Sequence, residues 1–404
     1  MTCKYQHQPK LEYFPVIPYK CLLLIMLVVG ITACTPKDNK QQKAEKAPMS
    51  TASDSYKIIG YVAGWEDFDI EKIDAKKLTH INYAFANIVD GKAVLERDFD
   101  SGNMTKISTL KNINPDLKVL VSIGGWTWSK NFSDVALVAE SRKIFAQSAV
   151  DLLKKYSLDG IDIDWEYPGQ LGDNNIYRPE DKGNFTLLMA DLRSALEAHG
   201  KPEGKHYLLT IATGADTNWV KWTEMGKVQE SLDFINIMTY DMYHGGHTFT
   251  GHHSNLRNSD QAVVGKGGGQ ISAMSSVQGH IDAGVPASKI VLGIPFYGRM
   301  WKGVKNANNG LYQDAETVGS IIAYKSLKKG YMADPTFKTY VDQSAKAPYL
   351  WSADSTIFVS YENPTSIGSK TQYIKEKGLG GGMFWEYSLD HDQELLNALY
   401  EGLN

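Results

Sequence analysis

Three acidic side chains alternate with apolar ones in a segment that otherwise has the character of a buried strand. Asp162, Asp164 and Glu166 are interleaved with Ile163 and Trp165, which is the two-residue period of a β-strand. The acids are therefore predicted to share one face, with neighbours roughly 6.5–7 Å apart along the strand. Crowded carboxylates cannot all ionise cheaply at low dielectric constant, so we expect at least one to keep its proton. A carboxyl that is protonated near neutral pH can act as a general acid.

A calcium loop and a solvated edge strand are the non-catalytic alternatives for this acidic segment. A calcium loop is disfavoured because the spacing D-x-[DN]-x-[DN]-G-x5-E is missing. A solvated edge strand is disfavoured because its other face carries Ile161, Ile163 and Trp165, which need cover. The strand pattern by itself leaves catalysis and a structural role open, and the rest of the chain favours catalysis.

Composition and charge restrict the class of protein. The chain has 404 residues, 43% of them hydrophobic, which is enough for a large core. The net charge is −4 and no long basic run is present, so nucleic acid is excluded as an expected partner. The 22 tyrosines and nine tryptophans suit the faces of sugar rings, although most aromatic side chains in any protein belong to the core.

The N-terminal segment has the pattern of an exported lipoprotein. "CLLLIMLVVGITAC" is an apolar run that is short for a membrane span and typical of a signal-peptide core. "ITAC" resembles a bacterial lipobox, so residues 1–33 are predicted to be a lipoprotein signal peptide and Cys34 the site of lipidation. A plain signal peptide or an anchor helix is the alternative. Residues 34–55 contain one large apolar residue, Met49, and are predicted to be a flexible tether. We expect attachment to the bacterial envelope, at the outer membrane or cell surface, with the lipid as the only membrane contact.

Eight short apolar segments alternate with amphipathic ones from Tyr56 onward. In order they are "YKIIGYVAGW", "LTHINYAFANI", "LKVLVSIGG", "LDGIDIDWEY", "HYLLTIATG", "LDFINIMTYD", "KIVLGIPFYGR" and "GLGGGMFWEYS". The segment "NFTLLMADLRSALEAHG" puts Phe185, Leu188, Leu192 and Leu196 on one helical face. Strands alternating with helices indicate parallel pairing, so residues 56–404 are predicted to form an α/β fold, a (β/α)8 TIM barrel. A small α+β insertion is predicted at residues 300–361, between strands seven and eight.

Polar residues cluster where these predicted strands end. They are Ser122 with Gly124 and Gly125, Glu166, Tyr240 with Asp241, Tyr297 with Arg299, and Trp385 with Glu386. The active sites of such barrels lie at the carboxyl ends of the strands. The convergence of these strand ends on one mouth therefore predicts a single active site.

These residues together resemble the family 18 glycoside hydrolases, the family of the chitinases. "DGIDIDWEYP" is similar to the family signature D-x-x-D-x-D-x-E on strand four, and "SIGGW" to the S-x-G-G motif on strand three. "MTYD" and "GGGMFWEYS" resemble the motifs of strand six and of the last strand. The resemblance implies hydrolysis of N-acetylglucosamine polymers in which the acetamido group of the substrate replaces a second carboxylate.

The resemblance implies four catalytic residues. Glu166 would protonate the glycosidic oxygen, and its carboxylate would then activate water. Asp164 would hold the substrate amide so that the carbonyl oxygen of the amide attacks the anomeric carbon, and Asp162 would share a proton with Asp164. Tyr240 would donate a hydrogen bond to the attacking oxygen.

Ten further residues would bind the substrate or support the acids. Tyr61 and Ser122 would hold Asp162, Trp385 would be the floor beneath the sugar on the glycone side of the scissile bond, and Trp126 would stack on the other side. The full set is Tyr61, Phe85, Ser122, Gly125, Trp126, Met238, Asp241, Tyr297, Arg299 and Trp385. Six other tryptophans are equally compatible with packing and with sugar binding: Trp65, Trp128, Trp219, Trp222, Trp301 and Trp351.

Three functions are carried forward. A chitinase is the first, an endo-β-N-acetylglucosaminidase acting on glycoprotein N-glycans is the second, and a non-catalytic chitin-binding lectin is the third. The lectin is disfavoured because Asp162, Asp164 and Glu166 are all present. No metal or cofactor is expected, and the histidines of "YHGGHTFTGHH" (His244, His247, His252 and His253) are interpreted as loop or rim residues. We expect a monomer with chitin or chitooligosaccharides as its partner.

Overall fold

A closed barrel of eight parallel strands forms the centre of the computed structural model, which describes residues 55–65, 68–266 and 270–404. The strands that lead up to the insertion are β1 (Lys57–Ala63), β2 (His80–Val89), β3 (Lys92–Val94), β4 (Lys118–Gly124), β5 (Gly160–Asp164), β6 (Leu208–Gly214), β7 (Phe234–Met238) and β8 (Ile290–Pro295). Those that follow are β9 (Tyr297–Trp301), β10 (Ser320–Ala323), β11 (Lys338–Asp342), β12 (Ala347–Ser352), β13 (Ile357–Ser360) and β14 (Gly381–Trp385).

The parallel pairings close the barrel in the order β1-β2-β4-β5-β6-β7-β8-β14, and β14 returns to β1. Each predicted strand corresponds to one strand of this ring, so the prediction of a (β/α)8 barrel is confirmed. The short β3 lies outside the ring and pairs antiparallel with β2. It brings the residues that follow it, up to Arg97, back toward the mouth of the barrel.

Helices alternate with these strands. They are α1 (Asp100–Thr109), α2 (Phe132–Leu137), α3 (Ala139–Tyr156), α4 (Asp181–Gly200), α5 (Thr217–Lys221), α6 (Met225–Val228), α7 (Ala273–Asp282), α8 (Tyr324–Ser326, continuing into a π-helical turn at Leu327–Tyr331), α9 (Pro364–Lys377) and α10 (Glu394–Leu403). Helix α4 buries the predicted face of Phe185, Leu188, Leu192 and Leu196 and ends at Gly200. The described helices include none with the length and hydropathy needed to cross a bilayer.

The insertion is a five-stranded antiparallel sheet in the order β10-β9-β13-β12-β11. Its core packs Trp301 against Phe358, with Tyr349 and Trp351 beside them. The lobe starts earlier than predicted, because the single predicted strand "KIVLGIPFYGR" is two strands that break at Phe296. Tyr297 and Arg299 therefore belong to the sheet of the lobe and reach the cleft from that side.

The predicted signal peptide, the lipidation site Cys34 and the predicted tether up to residue 54 lie outside the described residues. The first strand, β1, starts at Lys57.

Candidate active site

Strand β5 places the three acids inside the barrel because its side chains alternate between two faces. Ile161, Ile163 and Trp165 pack into the core between the strands and the helices. Asp162 is fully buried and bonds to side chains from four other strands, so the acidic face is the interior one. The alternation predicted from the sequence therefore separates the side chains that pack against the helices from those that face the interior of the barrel.

Of the three acids, Asp162 lies deepest in the barrel, and both of its carboxyl oxygens accept hydrogen bonds. Its Oδ2 accepts from the Tyr61 hydroxyl at 2.7 Å and from Ser122 Oγ at 2.7 Å. Its Oδ1 accepts from Thr210 Oγ1 at 2.5 Å and from Asn236 Nδ2 at 3.4 Å. Burial raises the pKa of Asp162, and these four donors oppose that shift by favouring the ionised form.

Asp164 has a different environment one step higher. It lines the cleft, yet its Oδ1 is buried and has no hydrogen-bond partner. Burial, with the nearby charges of Glu166 and Asp162, raises its pKa well above the usual range. Because both oxygens of Asp162 already accept hydrogen bonds, Asp164 is the better holder of a proton. The predicted sharing of one proton between the two aspartates stays a prediction.

Glu166 reaches the cleft just after the end of β5. Its backbone N–H donates to Ser129 Oγ at 2.8 Å, and Ser129 Oγ donates to the carbonyl oxygen of Asp164 at 3.0 Å. Burial raises the pKa of Glu166 to about 7; a hydrogen bond from Tyr167 opposes this rise and the charge of Asp241 adds to it. The carboxyl can therefore hold a proton near neutral pH and release it to a bound ligand.

Two glycines let β4 pass close to these acids. Gly124 has φ +111°, and a Cβ there would lie 2.2 Å from the carbonyl oxygen of Asp164. Gly125 has φ +80°, and a Cβ there would lie 2.5 Å from the ring of Phe85. The Gly125 N–H also donates to the carbonyl oxygen of Asp164 at 2.8 Å. The pair is thus required by close packing and by positive φ.

Replacing Gly125 by alanine is expected to destabilise the fold by about 1–3 kcal/mol, because the new methyl group must displace Phe85. The matched control is Gly204→Ala, where φ is +62° and nothing lies within 4 Å of the added Cβ. That variant should lose only about 1 kcal/mol, the cost of a positive φ alone. Denaturant unfolding of both variants measures the difference, and equal losses would contradict the packing argument.

The carboxylate of Asp241 lies on the opposite side of the cleft and is held by the lobe. Arg299 Nε donates to its Oδ1 at 2.7 Å and Arg299 Nη2 to its Oδ2 at 2.6 Å. His253 Nδ1 lies 3.7 Å from Oδ1. Burial would raise the pKa of Asp241, but His253 and Arg299 outweigh it and hold that pKa well below its usual range. Asp241 is therefore an anion paired with a cation.

Tyr240 and Tyr297 stand beside this ion pair. Their rings meet edge to face with centroids 6.1 Å apart. Burial, followed by the charges of Asp164 and Asp241, raises the pKa of Tyr240 well above its usual value. Its hydroxyl therefore stays protonated and can donate a hydrogen bond to a ligand in the cleft. Met238 completes this side of the cleft wall.

Aromatic rings form the floor and one end of the cleft. Trp385 stacks on Phe85 with ring centroids 5.5 Å apart, and Phe85 stacks on Trp65 at 5.9 Å. Tyr61 lies beneath Trp385 at 5.6 Å in a tilted arrangement. Trp126 is 51% exposed and meets Tyr167 edge-on at 6.3 Å. Such rings bind the apolar faces of sugars.

One cavity of about 1180 Å³ lies between these strand ends and the lobe. Eleven of the predicted site residues line it: Tyr61, Phe85, Trp126, Asp164, Glu166, Met238, Tyr240, Asp241, Tyr297, Arg299 and Trp385. The other three, Ser122, Gly125 and Asp162, lie directly beneath or beside them. The structure therefore brings the whole predicted set together.

Several residues of this cleft were not predicted from the sequence, or their role was left open there. Thr210 and Asn236 bind Asp162, and the signal for both was a polar residue inside an apolar strand. Trp65 and Trp128 line the cleft, whereas Trp301 and Trp351 belong to the core of the lobe. Trp219 borders the cavity but is buried against His280, and Trp222 is partly exposed outside it. Arg97 and Tyr167 also line the cleft and had no sequence signal.

The four histidines lie in the loop between β7 and α7, as interpreted from the sequence. His244 and His247 border the cleft as expected. His252 and His253 are fully buried, because they join the loop after β7 to the lobe. His252 Nε2 lies 3.2 Å from Asp342 Oδ2. Within the part of the chain that the structure describes, no group of three or more His, Cys, Asp or Glu side chains could hold a metal ion.

Comparison with known proteins gives one family. The model of the glycosyl hydrolases family 18 matches residues 57–390. Chitinase A1 of Niallia circulans is 41% identical over 86% of this chain, which spans only 58% of the length of that relative. Chitinase 1 of Aphanocladium album is 33% identical over 95% of this chain and 93% of its own length. A solved family 18 N-acetylglucosaminidase from Paenibacillus barengoltzii aligns with a TM-score of 0.80 and 42% identity, over 86% of this chain and 99% of its own.

Proposed function

Since the chain belongs to the glycosyl hydrolases family 18, we propose that it cleaves the β-1,4 bonds between N-acetylglucosamine units of chitin or chitooligosaccharides. One observation carries the proposal. Glu166, with a pKa raised to about 7, stands one strand step above Asp164, whose buried Oδ1 has no partner. A proton donor and an unsatisfied carboxyl at this spacing suit a substrate that brings its own amide into the site.

The reaction follows from the roles that these positions allow. With a sugar on Trp385, Glu166 donates its proton to the glycosidic oxygen and the leaving group departs. Asp164 accepts the N–H of the acetamido group, so the carbonyl oxygen of that group points at the anomeric carbon and forms the new bond. Tyr240 donates a hydrogen bond to the same oxygen. Water, deprotonated by the Glu166 carboxylate, then opens the cyclic intermediate from the face that the leaving group occupied.

Retention of configuration follows, because both displacements occur at the same carbon and on opposite faces. The four donors around Asp162 favour its ionised form, so a proton on this pair of aspartates is better placed on Asp164, beneath the reacting amide. The Arg299–Asp241 pair gives the opposite wall its polar character. The non-catalytic lectin is disfavoured, because the chain belongs to a family of glycosyl hydrolases and Asp162, Asp164 and Glu166 are all present.

A second candidate activity, the release of single N-acetylglucosamine units, is favoured by the Paenibacillus relative, which is named an N-acetylglucosaminidase. A product profile separates the candidates. We expect the enzyme to cut a chitin hexamer into oligomers whose new reducing ends are first formed as the β-anomer, as measured by NMR. Monosaccharide as the sole early product would favour the second candidate. Cleavage of a high-mannose glycopeptide alone would favour action on N-glycans, and a first-formed α-anomer would contradict the proposed mechanism.

The pH dependence of kcat/KM should report the protonation of Glu166. The acid must be protonated to act, so we expect activity below about pH 7 and a tenfold loss for each pH unit above it. Asp241→Asn removes a negative charge that raises this pKa and leaves Arg299 unpaired nearby, so the basic limb should move to lower pH. A basic limb that stays in place or moves up in this variant would contradict the assignment of the limb to Glu166.

We also propose that the protein is exported and anchored to the bacterial envelope by a lipid on Cys34; the apolar run before it and the lipobox-like "ITAC" support this. Cys34→Ala expressed in a bacterium should no longer incorporate labelled palmitate and should leave the membrane fraction. Cys21→Ala is the matched control and should keep both properties. Membrane association of Cys34→Ala equal to that of the unsubstituted chain would contradict the anchor.

A further inference from the structure

Arg97 stands at one end of the cleft between two tryptophans. Its guanidinium carbon lies 4.0 Å from the ring centroid of Trp128 and 4.8 Å from that of Trp65. Both rings line the cleft, and so does the arginine. This double cation–π contact holds the charge in a fixed place beside the sugar-binding surface.

The Arg97 guanidinium forms no ion pair in the described part of the chain, where the arginines that do so are Arg142, Arg178, Arg193 and Arg299. Its Nη1 is buried without a hydrogen-bond partner. Asp100 accepts the backbone N–H of Arg97 and the hydroxyl of Tyr83. Glu96 accepts from Asn87. Arg97 lines the cleft, whereas the acids nearest to it in the sequence, Glu96, Asp98 and Asp100, do not. The guanidinium is therefore the charged group of this segment that a ligand at this end of the cleft meets first.

The position of Arg97 relative to the reacting bond follows from the order of the strands. Trp385 on β14 lies across the barrel from β5, which precedes Glu166. The stacked row Trp385–Phe85–Trp65 leads away from the floor on the β1 and β2 side and ends at Arg97. Trp126 meets Tyr167, the residue after Glu166, so in the proposed reaction these two rings are on the leaving-group side. Arg97 therefore borders the glycone, beyond the sugar on Trp385.

We propose that Arg97 is a specificity-determining residue that rejects a free amine on a glycone sugar beyond the one held by Trp385. An N-acetylglucosamine unit is neutral, whereas its deacetylated form, glucosamine, carries an ammonium group. The rings of Trp65 and Trp128 accept either sugar, because stacking depends on the apolar face of the ring and not on its amine. The fixed positive charge is what distinguishes the two. This proposal rests on the proposed function, since it assumes that the cleft binds such chains.

The experiment uses substrates whose binding register is fixed. Methylumbelliferyl glycosides of the trisaccharide place the dye on the leaving-group side, so each sugar occupies a known glycone position. The fully acetylated trisaccharide is compared with forms that carry one glucosamine at the second or third unit from the dye. Two unit charges about 10 Å apart, at an effective dielectric constant of about 20, interact strongly enough to change kcat/KM on the order of 10-fold.

We expect the unsubstituted enzyme to cleave one of the two glucosamine-containing forms on the order of 10-fold less efficiently than the acetylated form. Arg97→Gln should lose this discrimination, because glutamine has no charge. Arg97→Lys should keep it, because lysine retains the positive charge although it lacks the planar guanidinium. Arg257→Gln is the matched control, since Arg257 is exposed and outside the cleft. The discrimination should also weaken as salt is added.

Equal cleavage of all three substrates by the unsubstituted enzyme would overturn the proposal, and so would discrimination that persists in Arg97→Gln. Failure of the proposed function has a different signature, namely no cleavage of the fully acetylated substrate. The proposal is then decided by Kd for the same sugars, measured through tryptophan fluorescence. A Kd ratio that depends on Arg97 would support it, and one that does not would overturn it.

Discussion

Replacing Glu166 by glutamine is expected to lower kcat on chitooligosaccharides by about 10³-fold or more, in the upper part of the range known for general acid–base catalysis. Glutamine fills the same space and still forms hydrogen bonds, but it cannot release a proton to the glycosidic oxygen. The floor at Trp385 and the wall at Arg299 are untouched, so Kd should change little. Steady-state kinetics gives kcat, and calorimetric titration gives Kd.

The control for this variant is Glu376→Gln, on the exposed face of α9 and away from the cleft. It should leave both quantities unchanged. If Glu166→Gln retained more than a tenth of the unsubstituted kcat, Glu166 would not be the general acid. A parallel loss of binding would instead indicate that the glutamate is needed to shape the cleft.

Replacing Asp164 by asparagine is expected to lower kcat by about 10²-fold or more, because a misplaced acetamido oxygen no longer reaches the anomeric carbon. Asparagine replaces one carboxyl oxygen of Asp164 by an NH2 group, which cannot accept a hydrogen bond. In the present structure the Oδ1 of Asp164 is buried and has no partner. The charges of Asp164 and Glu166 influence each other's protonation, and asparagine removes one of the two titrating groups. The pH dependence of kcat/KM should therefore change shape.

A separate readout distinguishes this role from a structural one. A thiazoline analogue of N-acetylglucosamine resembles the cyclised intermediate and should inhibit the unsubstituted enzyme more strongly than the product sugar does. That advantage should shrink in Asp164→Asn, while the melting temperature changes little. Asp116→Asn, an exposed site before β4, is the control. Undiminished thiazoline inhibition in Asp164→Asn would contradict the orienting role.

Much of the fold was predictable because strand periodicity is a local property. The alternation around Asp162 fixed which face of β5 is acidic, and the eight apolar segments in order fixed the barrel. The predicted face of α4 is buried as expected, because a helix of 20 residues with regularly spaced leucines has only one side to bury. Motif spacing also named the residues around the mouth, since parallel strands deliver their carboxyl ends to the same rim.

Arg299 and Asp241 were both expected at the mouth of the barrel, but their pairing was not, because it joins distant parts of the chain. Arg299 pairs with Asp241 across 58 positions, and β9, which carries it, belongs to the sheet of the lobe and not to the barrel. His253 lies in the loop after β7, as its sequence pattern indicated, but its full burial against the lobe beside Asp241 came only from the tertiary structure.

The sequence by itself determined the barrel, the acidic strand and the family motifs, because each depends on spacing along one segment or on strand ends that share a rim. Only the tertiary structure decided how much charge each acid holds and which aromatic rings face the cleft. A pKa depends on burial and on neighbours from other strands, as in the contrast between the saturated Asp162 and the unsatisfied Asp164. The same is true of Arg97, which becomes a cleft residue only where Trp65 and Trp128 meet around it.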